Sequence, residues 1–329
     1  MNSSVADSLT VSPALKVLPI ERRSSADLSF RAFVEEYVNR NRPVIITNAV
    51  SHWDALGKWT PEFFKSNFGS QVVQASYNTR MALGEVIDSV NASTKENPGV
   101  YLHRVIIQKD MPALLPDITP GNPYGFPERY SSPIMPRHWR RPDGFLKLLI
   151  GGVGGKFPLM HFDSDNSNAM ITETYGAKEF VLFAPKDSPF VYPSPEPTSP
   201  VSSVDNIDMP DVDRFPLFVN ATQYRGTITP GDAAFIPSRW WHAARVVRTS
   251  ISTCTNMIHR ANWNGFVNEA CSAASGRGRA VSIAKRVYLH SIGGVLNTCE
   301  TLQERYPGSA LARSASALAP QVPTNTPTP

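Results

Sequence analysis

Leu159-Met160-His161-Phe162-Asp163 is the stretch on which the reading of this chain turns. Side chains alternate along an extended strand, so His161 and Asp163 would point to one face. A neutral imidazole beside a carboxylate is two thirds of the two-histidine, one-carboxylate set that holds non-haem Fe(II) and leaves open positions. The tripeptide alone is common, and a surface histidine beside a solvated aspartate is its ordinary meaning. The iron reading therefore needs a third ligand.

Seven histidines are available: His52, His103, His138, His161, His242, His259 and His290. His52 and His138 fall in expected loops, and His290 in an expected helix. His242 closes Thr229-Pro-Gly-Asp-Ala-Ala-Phe-Ile-Pro-Ser-Arg-Trp-Trp-His242. A Pro-Gly-Asp turn enters an apolar strand there, a proline bends it, and two tryptophans precede the histidine. Such a histidine faces a barrel interior, either as a satisfied core residue or as a ligand. Its combination with His161 and Asp163 upstream favours the ligand.

Short strands surround these motifs. Pro43-Val-Ile-Ile-Thr47 and Val100-Tyr-Leu-His-Arg-Val-Ile-Ile107 read as strands, as do 146–150, 169–174, 179–184, 226–229, 233–236, 244–248 and 250–257. This pattern predicts a mainly β sandwich or barrel. Helices are expected before it, over 30–40 with Ser29 as N-cap, and from Thr60-Pro61 to Gly69. After it, 262–275 and 279–305 have helical periodicity, with Ile283, Val287, Ile292 and Val295 roughly on one face. Gly151-Gly-Val-Gly-Gly-Lys156 looks like a phosphate loop, but its spacing is short and Phe157 stands where a Ser or Thr would meet Mg²⁺. It reads as a turn.

Composition removes several classes. The 29 prolines are about 9% of the 329 residues, against a usual ~5%, which disfavours a helical bundle. They cluster in 112–142, 185–216 and 307–329, and the first two clusters are expected to border the mouth of a groove. Net charge is +4 with no basic run, so no nucleic-acid partner is expected; Arg137, His138, Arg140 and Arg141, the densest basic spot, read as a solvated loop. No apolar run is long enough for a membrane span. Cys254, Cys271 and Cys299 lie far apart, which fits reduced thiols in a cytoplasmic protein.

From about Arg42 to Asn256 the chain resembles the JmjC-type (cupin-like) Fe(II)/2-oxoglutarate-dependent oxygenases, in particular their asparaginyl hydroxylases. The resemblance runs in order through Arg42-Pro-Val-Ile-Ile, Leu149-Ile-Gly, His161-Phe-Asp163, Gly176-Ala-Lys178, Val181-Leu-Phe-Ala-Pro, Tyr192-Pro-Ser-Pro, Arg214-Phe-Pro and Ile236-Pro-Ser-Arg-Trp-Trp-His242. It implies a double-stranded β-helix (jelly-roll, cupin) core, with flanking N-terminal helices and a C-terminal helical pair. It implies that His161, Asp163 and His242 bind Fe(II). Lys178 would pair with the distal carboxylate of the co-substrate 2-oxoglutarate, with Tyr101 beside it, while O₂ is the second co-substrate. Arg245 and Arg248 compete with Lys178 as the cation. Asn168, to within one residue, and Asn256 match asparagines near the iron and co-substrate.

Some positions depart from that pattern. Pro158 replaces a co-substrate threonine, Thr198-Ser-Pro-Val-Ser-Ser replaces a substrate-binding Arg-Gln pair, and Ile258 replaces a substrate-packing tryptophan. The expected organisation is a flexible 1–22, an oxygenase domain over 23–258, a helical region over 259–306 and a disordered tail over 307–329. The expected activity is hydroxylation of a C–H bond, first in a protein or peptide side chain. A free amino acid or natural-product intermediate comes second and N-methyl-lysine demethylation third, with a non-catalytic metal-binding cupin as the rival. The resemblance also implies a homodimer through the C-terminal helices.

Overall fold

A computed structural model describes residues 15–75, 78–125, 129–155, 160–195, 200–272 and 278–321. Its strands are β1 (Lys16–Pro19), β2 (Arg22–Ser24), β3 (Val44–Thr47), β4 (Val72–Gln74), β5 (Arg80–Ala82), β6 (Leu102–Ile106), β7 (Leu146–Gly151), β8 (Asn168–Phe183), β9 (Thr222–Ile228), β10 (Ala233–Ile236) and β11 (Trp241–Met257). The long strands β8 and β11 pair antiparallel from Trp241 opposite Phe183 to Met257 opposite Asn168. Beyond the first half of β8 lie β10 and then β3. Beyond its second half lie β9 and then β1. The second half of β11 continues into β7 and β6. Each long strand thus serves two sheets, which is the expected jelly roll. Sequence reading split each of them in two, because the bend in the middle carries turn-like residues.

Period-two alternation divides the apolar side chains between three cores. On β10, Ala233 and Phe235 join an outer core with Phe33 and Tyr37, whereas Ala234 and Ile236 join the barrel interior with Ile171 and Phe180. Phe33 meets the Phe235 ring edge-on at 5.0 Å. On the second half of β8, Phe180 and Leu182 face the interior, while Val181 and Phe183 face a third core. Strands buried on both faces read as unbroken apolar runs, which Ala-Ala-Phe-Ile on β10 shows.

The interior positions of β8 change parity along the strand. Ala169 and Ile171 face inward before the bend, and Lys178 and Phe180 after it. Gly176 makes this possible. Its φ is +83°, and a Cβ would run into the Thr249 carbonyl. Opposite it, β11 uses seven residues from Val246 to Ser252 where β8 uses six from Lys178 to Glu173, which is a β-bulge.

The helices follow their caps. Ser29 accepts from Ala32 N, and the helix Phe30–Phe33 widens into a π-type turn over Val34–Val38. Thr60 accepts from Phe63 N at the start of Pro61–Phe68. Leu83–Asn91, which the sequence reading did not single out, buries Leu83, Val86, Ile87 and Val90 in the outer core. Trp263–Ser272 and Arg279–Arg305 form the expected C-terminal pair. On the longer helix the buried stripe is Leu289, Ile292, Leu296 and Cys299. Of the expected face only Ile292 belongs to it; Ile283, Val287 and Val295 point outward. Arg129, 1% exposed, ties this helix down: its Nε and Nη2 donate to both Glu300 carboxylate oxygens, at 2.8 and 2.6 Å.

Three expectations about organisation change. The stretch expected to be loose up to residue 22 holds β1, whose parallel pairing satisfies the free edge of β9. The expected tail contains the Ser309-capped helix Ala310–Ala315, whose small Ala312 and Ala315 pack close to the long helix. Its last eight residues lie outside the described residues. The proline clusters cover cores: Leu114 and Ile118 pack in the outer core, Tyr130 and Met135 against the C-terminal helices, and Val191, Val204, Phe215 and Phe218 over the second sheet. Proline suits such segments because it needs no backbone donor and loses little entropy on ordering. At the basic spot, the Arg141 guanidinium lies 4.5 Å from the Tyr130 ring centre and 4.3 Å from that of Phe145. All three cysteines are free thiols. No helix among the described residues is long and apolar enough to cross a membrane.

Candidate metal centre

His161 is held on both sides by backbone. Its N–H donates to His242 O at 3.0 Å, and its carbonyl accepts from His242 N at 2.7 Å. On the other side it bridges Val201. The expected strand is therefore only a bridge at His161, continued by Phe162 N donating to Pro200 O at 3.0 Å; Leu159 and Pro158 lie outside the described residues. Alternation still does its work. Phe162 turns away to meet the Trp241 ring edge-on at 4.8 Å, while His161 and Asp163 turn together toward His242.

One donor atom from each of His161, Asp163 and His242 lies within 4.8 Å of the others. His161 Nε2 is 3.9 Å from Asp163 Oδ1, and the two imidazole centres are 4.3 Å apart. His242 is 7% exposed, and its Nδ1 lies 3.0 Å from Trp240 O. That carbonyl can only accept, so Nδ1 carries the proton and Nε2 keeps its lone pair for the centre. Two imidazole nitrogens and one carboxylate oxygen suit a first-row divalent metal with open positions, such as Fe(II).

The centre opens into a cavity of about 400 Å³. Tyr101 and Lys178 line it together with an apolar wall that includes Leu149, Ile171 and Phe180. Lys178 is 1% exposed. Its Nζ donates to Ser252 Oγ and stands 5.6 Å from the Tyr101 ring centre. No carboxylate among the described residues comes within ion-pair distance of it. Burial works against the charge, but Tyr101 and Glu173 outweigh it and hold the ammonium above the ordinary lysine value. A buried ammonium with no carboxylate at ion-pair distance fits a ligand that brings one. Gly151 makes room for this arrangement, because a Cβ there would stand 2.6 Å from the Tyr101 ring. Gly154 and Gly155 exchange backbone hydrogen bonds with Val246, so the described glycines of the phosphate-loop look-alike serve close chain approach.

Residues 30–265 match the family described as a cupin-like domain. The chain belongs to that family. Among its relatives, HSPB1-associated protein 1 of Rattus norvegicus is 40% identical over 97 residues, 29% of this chain and 20% of that protein. Lysine-specific demethylase 8 of Xenopus tropicalis is 23% identical over 233 residues, 68% of this chain and 50% of that protein. The human bifunctional peptidase and (3S)-lysyl hydroxylase JMJD7 is 23% identical over 251 residues, 64% of this chain and 75% of that protein. The chain thus spans a fifth to a half of the first two. The likeness supports the JmjC-type oxygenase grouping without singling out the asparaginyl hydroxylases.

Within the cupin-like barrel the other expected residues separate. Asn256 lies opposite Ala169, which lines the cavity, and its Oδ1 accepts from Lys147 Nζ at 2.9 Å. Asn168 does not reach the cavity. It stands one residue before the inward Ala169, so it faces away; its Oδ1 accepts from Ser238 N at 2.8 Å beside a separate space of about 190 Å³. Arg245 also faces outward, to Glu179 and Asp208, and Arg248 reaches toward Gly176 O at 3.4 Å. This leaves Lys178 as the interior cation among these three. Ile258 packs against the C-terminal helices. The described residues of the two large proline clusters contribute nothing to the lining.

Sequence reasoning missed four residues. Ser252 holds Lys178, and Glu173 is fully buried, accepts from Ser250 Oγ, and is pushed by burial up to about 7. Lys147 and Arg104 line the cavity. Counting by twos back from Leu149 would have found Lys147. Arg104 carried no such signal.

Proposed function

We propose that the protein is an Fe(II)/2-oxoglutarate-dependent oxygenase that hydroxylates a C–H bond of an amino-acid side chain in a protein or peptide. The observation that carries this reading is the convergence of His161, Asp163, His242 and the buried Lys178 on one cavity. When bound, ferrous iron and 2-oxoglutarate supply O₂ activation coupled to decarboxylation to succinate. The protein's residues bind and orient. His161, Asp163 and His242 hold the metal, and the Trp240 carbonyl fixes the His242 tautomer. Lys178, steadied by Ser252, takes the distal carboxylate, with Tyr101 beside it. The wall formed by Leu149, Ile171 and Phe180 keeps water from this carboxylate and strengthens its pairing. The lysyl hydroxylase among the relatives supports the side-chain reading.

A second reading, hydroxylation of a free amino acid or natural-product intermediate, gains from the lining. The cavity walls come from strands rather than from the proline-rich segments expected to border an open groove. Outward apolar Ile283, Val287 and Val295 support a homodimer through the long C-terminal helix, which light scattering at micromolar concentration tests.

The main test is His161→Ala. Iron content per chain and succinate formation without substrate should both collapse, and turnover that survives would overturn the ligand assignment. Succinate formation stimulated by peptides favours the first reading; stimulation by small metabolites alone favours the second.

A further inference from the structure

We infer that Glu269, on the C-terminal helix Trp263–Ser272, is a positioning residue for the metal ligand Asp163, which makes that helix a working part of the metal centre. This deepens the proposed function and rests on it.

The two ligands of this segment are held differently. His161 exchanges two backbone hydrogen bonds with His242, and Phe162 N donates to Pro200 O. Asp163 itself makes no backbone hydrogen bond among the described residues. β8 does not begin until Asn168. Between these anchors the chain turns, with Ser167 N and Oγ both donating to Ser164 O, at 3.2 and 2.9 Å. At its corner Asp165 and Asn166 have φ of +58° and +50°. Aspartate and asparagine tolerate that region better than most residues, but two in succession are not favoured by the chain alone. The turn needs an outside hold.

Glu269 supplies it. One carboxylate oxygen accepts from Asp165 N at 2.7 Å, and the other accepts from Asn166 N at 3.0 Å. Successive amides aimed at one carboxylate hold it as they would a small anion, through charge-assisted hydrogen bonds. Beside them Asn166 Nδ2 donates to Asn262 O at 3.0 Å, and Asn262 Nδ2 donates to Asn166 O at 2.7 Å. Gly265 leaves room for this clasp, since a Cβ there would stand 2.0 Å from Asn166 Nδ2. The helix is itself fixed, because Trp263, Phe266, Val267 and Ala270 are buried against the long C-terminal helix. Glu269 stands beyond residues 30–265, which match the family, so the hold on this ligand comes from outside the matched domain.

A carboxylate on a fixed turn gives up little freedom when it takes a metal. Without the hold, the metal would have to order the turn itself, and affinity would fall.

The test reads metal binding by full-length protein, with no co-substrate and no turnover. The probe is Co(II), whose visible bands report the ligands around it. Glu269→Ala should weaken Co(II) binding about tenfold, the low end of what losing a supporting partner costs a metal site, and should shift the bands. Glu269→Gln keeps the shape without the charge and should fall between Glu269→Ala and the parent. Asn166→Gly tolerates the positive φ, removes the clasp to Asn262 and should weaken binding in the same direction. Ile292→Val loosens the same helix pair by one methyl group without touching the turn, and should leave affinity and bands at the parent's.

A Glu269→Ala protein with the parent's affinity and bands would overturn the inference. So would an equal loss in Ile292→Val, because the effect would then be a general loosening of the helices. A parent that binds no Co(II), or a His161→Ala protein that binds it as tightly as the parent, would instead overturn the proposed function, so the two failures are distinguishable.

Discussion

Replacing Lys178 by Met should lower both stability and co-substrate binding. The ammonium is 1% exposed, and its partners are the Ser252 and Tyr101 hydroxyls, with no carboxylate at ion-pair distance among the described residues. In the free protein, removing it costs hydrogen bonds with Ser252 and Tyr101, about 1 kcal/mol each, and the relief of desolvation is offset by the lost attractions of Tyr101 and Glu173. Methionine has nearly the volume of the lysine stem and fills the same slot. Glu173, at about 7, loses a neighbouring cation that favours its charged form, so it holds its proton more tightly. The melting temperature of the metal-free protein should therefore fall, by ~2–4 °C for each kcal/mol lost.

Binding of 2-oxoglutarate should weaken as well. A hydrogen bond to a charged group contributes about 1.5–3 kcal/mol net, so its loss should weaken binding about 10- to 150-fold. Differential scanning fluorimetry reads the first quantity, and calorimetric titration of 2-oxoglutarate into Mn(II)-loaded protein reads the second. An affinity within twofold of the parent would show that Lys178 is not the anchor. An unchanged or raised melting temperature would show that burial outweighs the attractions of Tyr101 and Glu173.

Further outcomes follow from other parts of the molecule. Glu300→Ala leaves the buried Arg129 guanidinium without its two-point partner and should cost about 3–5 kcal/mol in urea unfolding; a loss under ~1 kcal/mol would mean that the pair is solvated. Glu173 binds its proton more tightly folded, at about 7, than at the ordinary 4.5. Its contribution is complete below about pH 4.5 and is lost as pH rises through 7, about 3 kcal/mol in all, and Glu173→Gln should flatten that slope in urea titrations of the metal-free protein. Gly176→Ala forces a side chain into a positive-φ position against the Thr249 carbonyl. It should destabilise by at least about 2 kcal/mol, read by thermal melts followed by circular dichroism.

Much of the molecule was legible where chemistry is local. Ser29 and Thr60 cap the helices they were expected to cap, because a hydroxyl accepting from the third amide onward needs only its own neighbours. β10 falls at its expected place, and His161, Asp163 and His242, singled out from spacing together with family resemblance, come together within 4.8 Å. The errors cluster where an element depends on a distant partner. β1 has little strand character of its own and exists because β9 offers an edge. The long helix buries Ile292 but not Ile283 or Val287, and its choice of face depends on where Trp263–Ser272 and the Arg129 segment lie.

The sequence by itself determined which groups were available and which local rules they follow: the alternation that turns His161 and Asp163 together, the turn before β10, and a glycine at 176. Only the tertiary structure decided which face of each strand became the interior. A bulge of one residue reverses every side chain beyond it. The bend at Gly176, matched by the bulge on β11, keeps both halves of β8 turned to the barrel, so that Ala169 and Lys178 share the cavity while Asn168 and Arg245 look away from it. The register shift in β6 likewise admits Arg104 beside His103. Such shifts are set by hydrogen bonding between strands far apart in sequence, and periodicity read along one strand carries no trace of them.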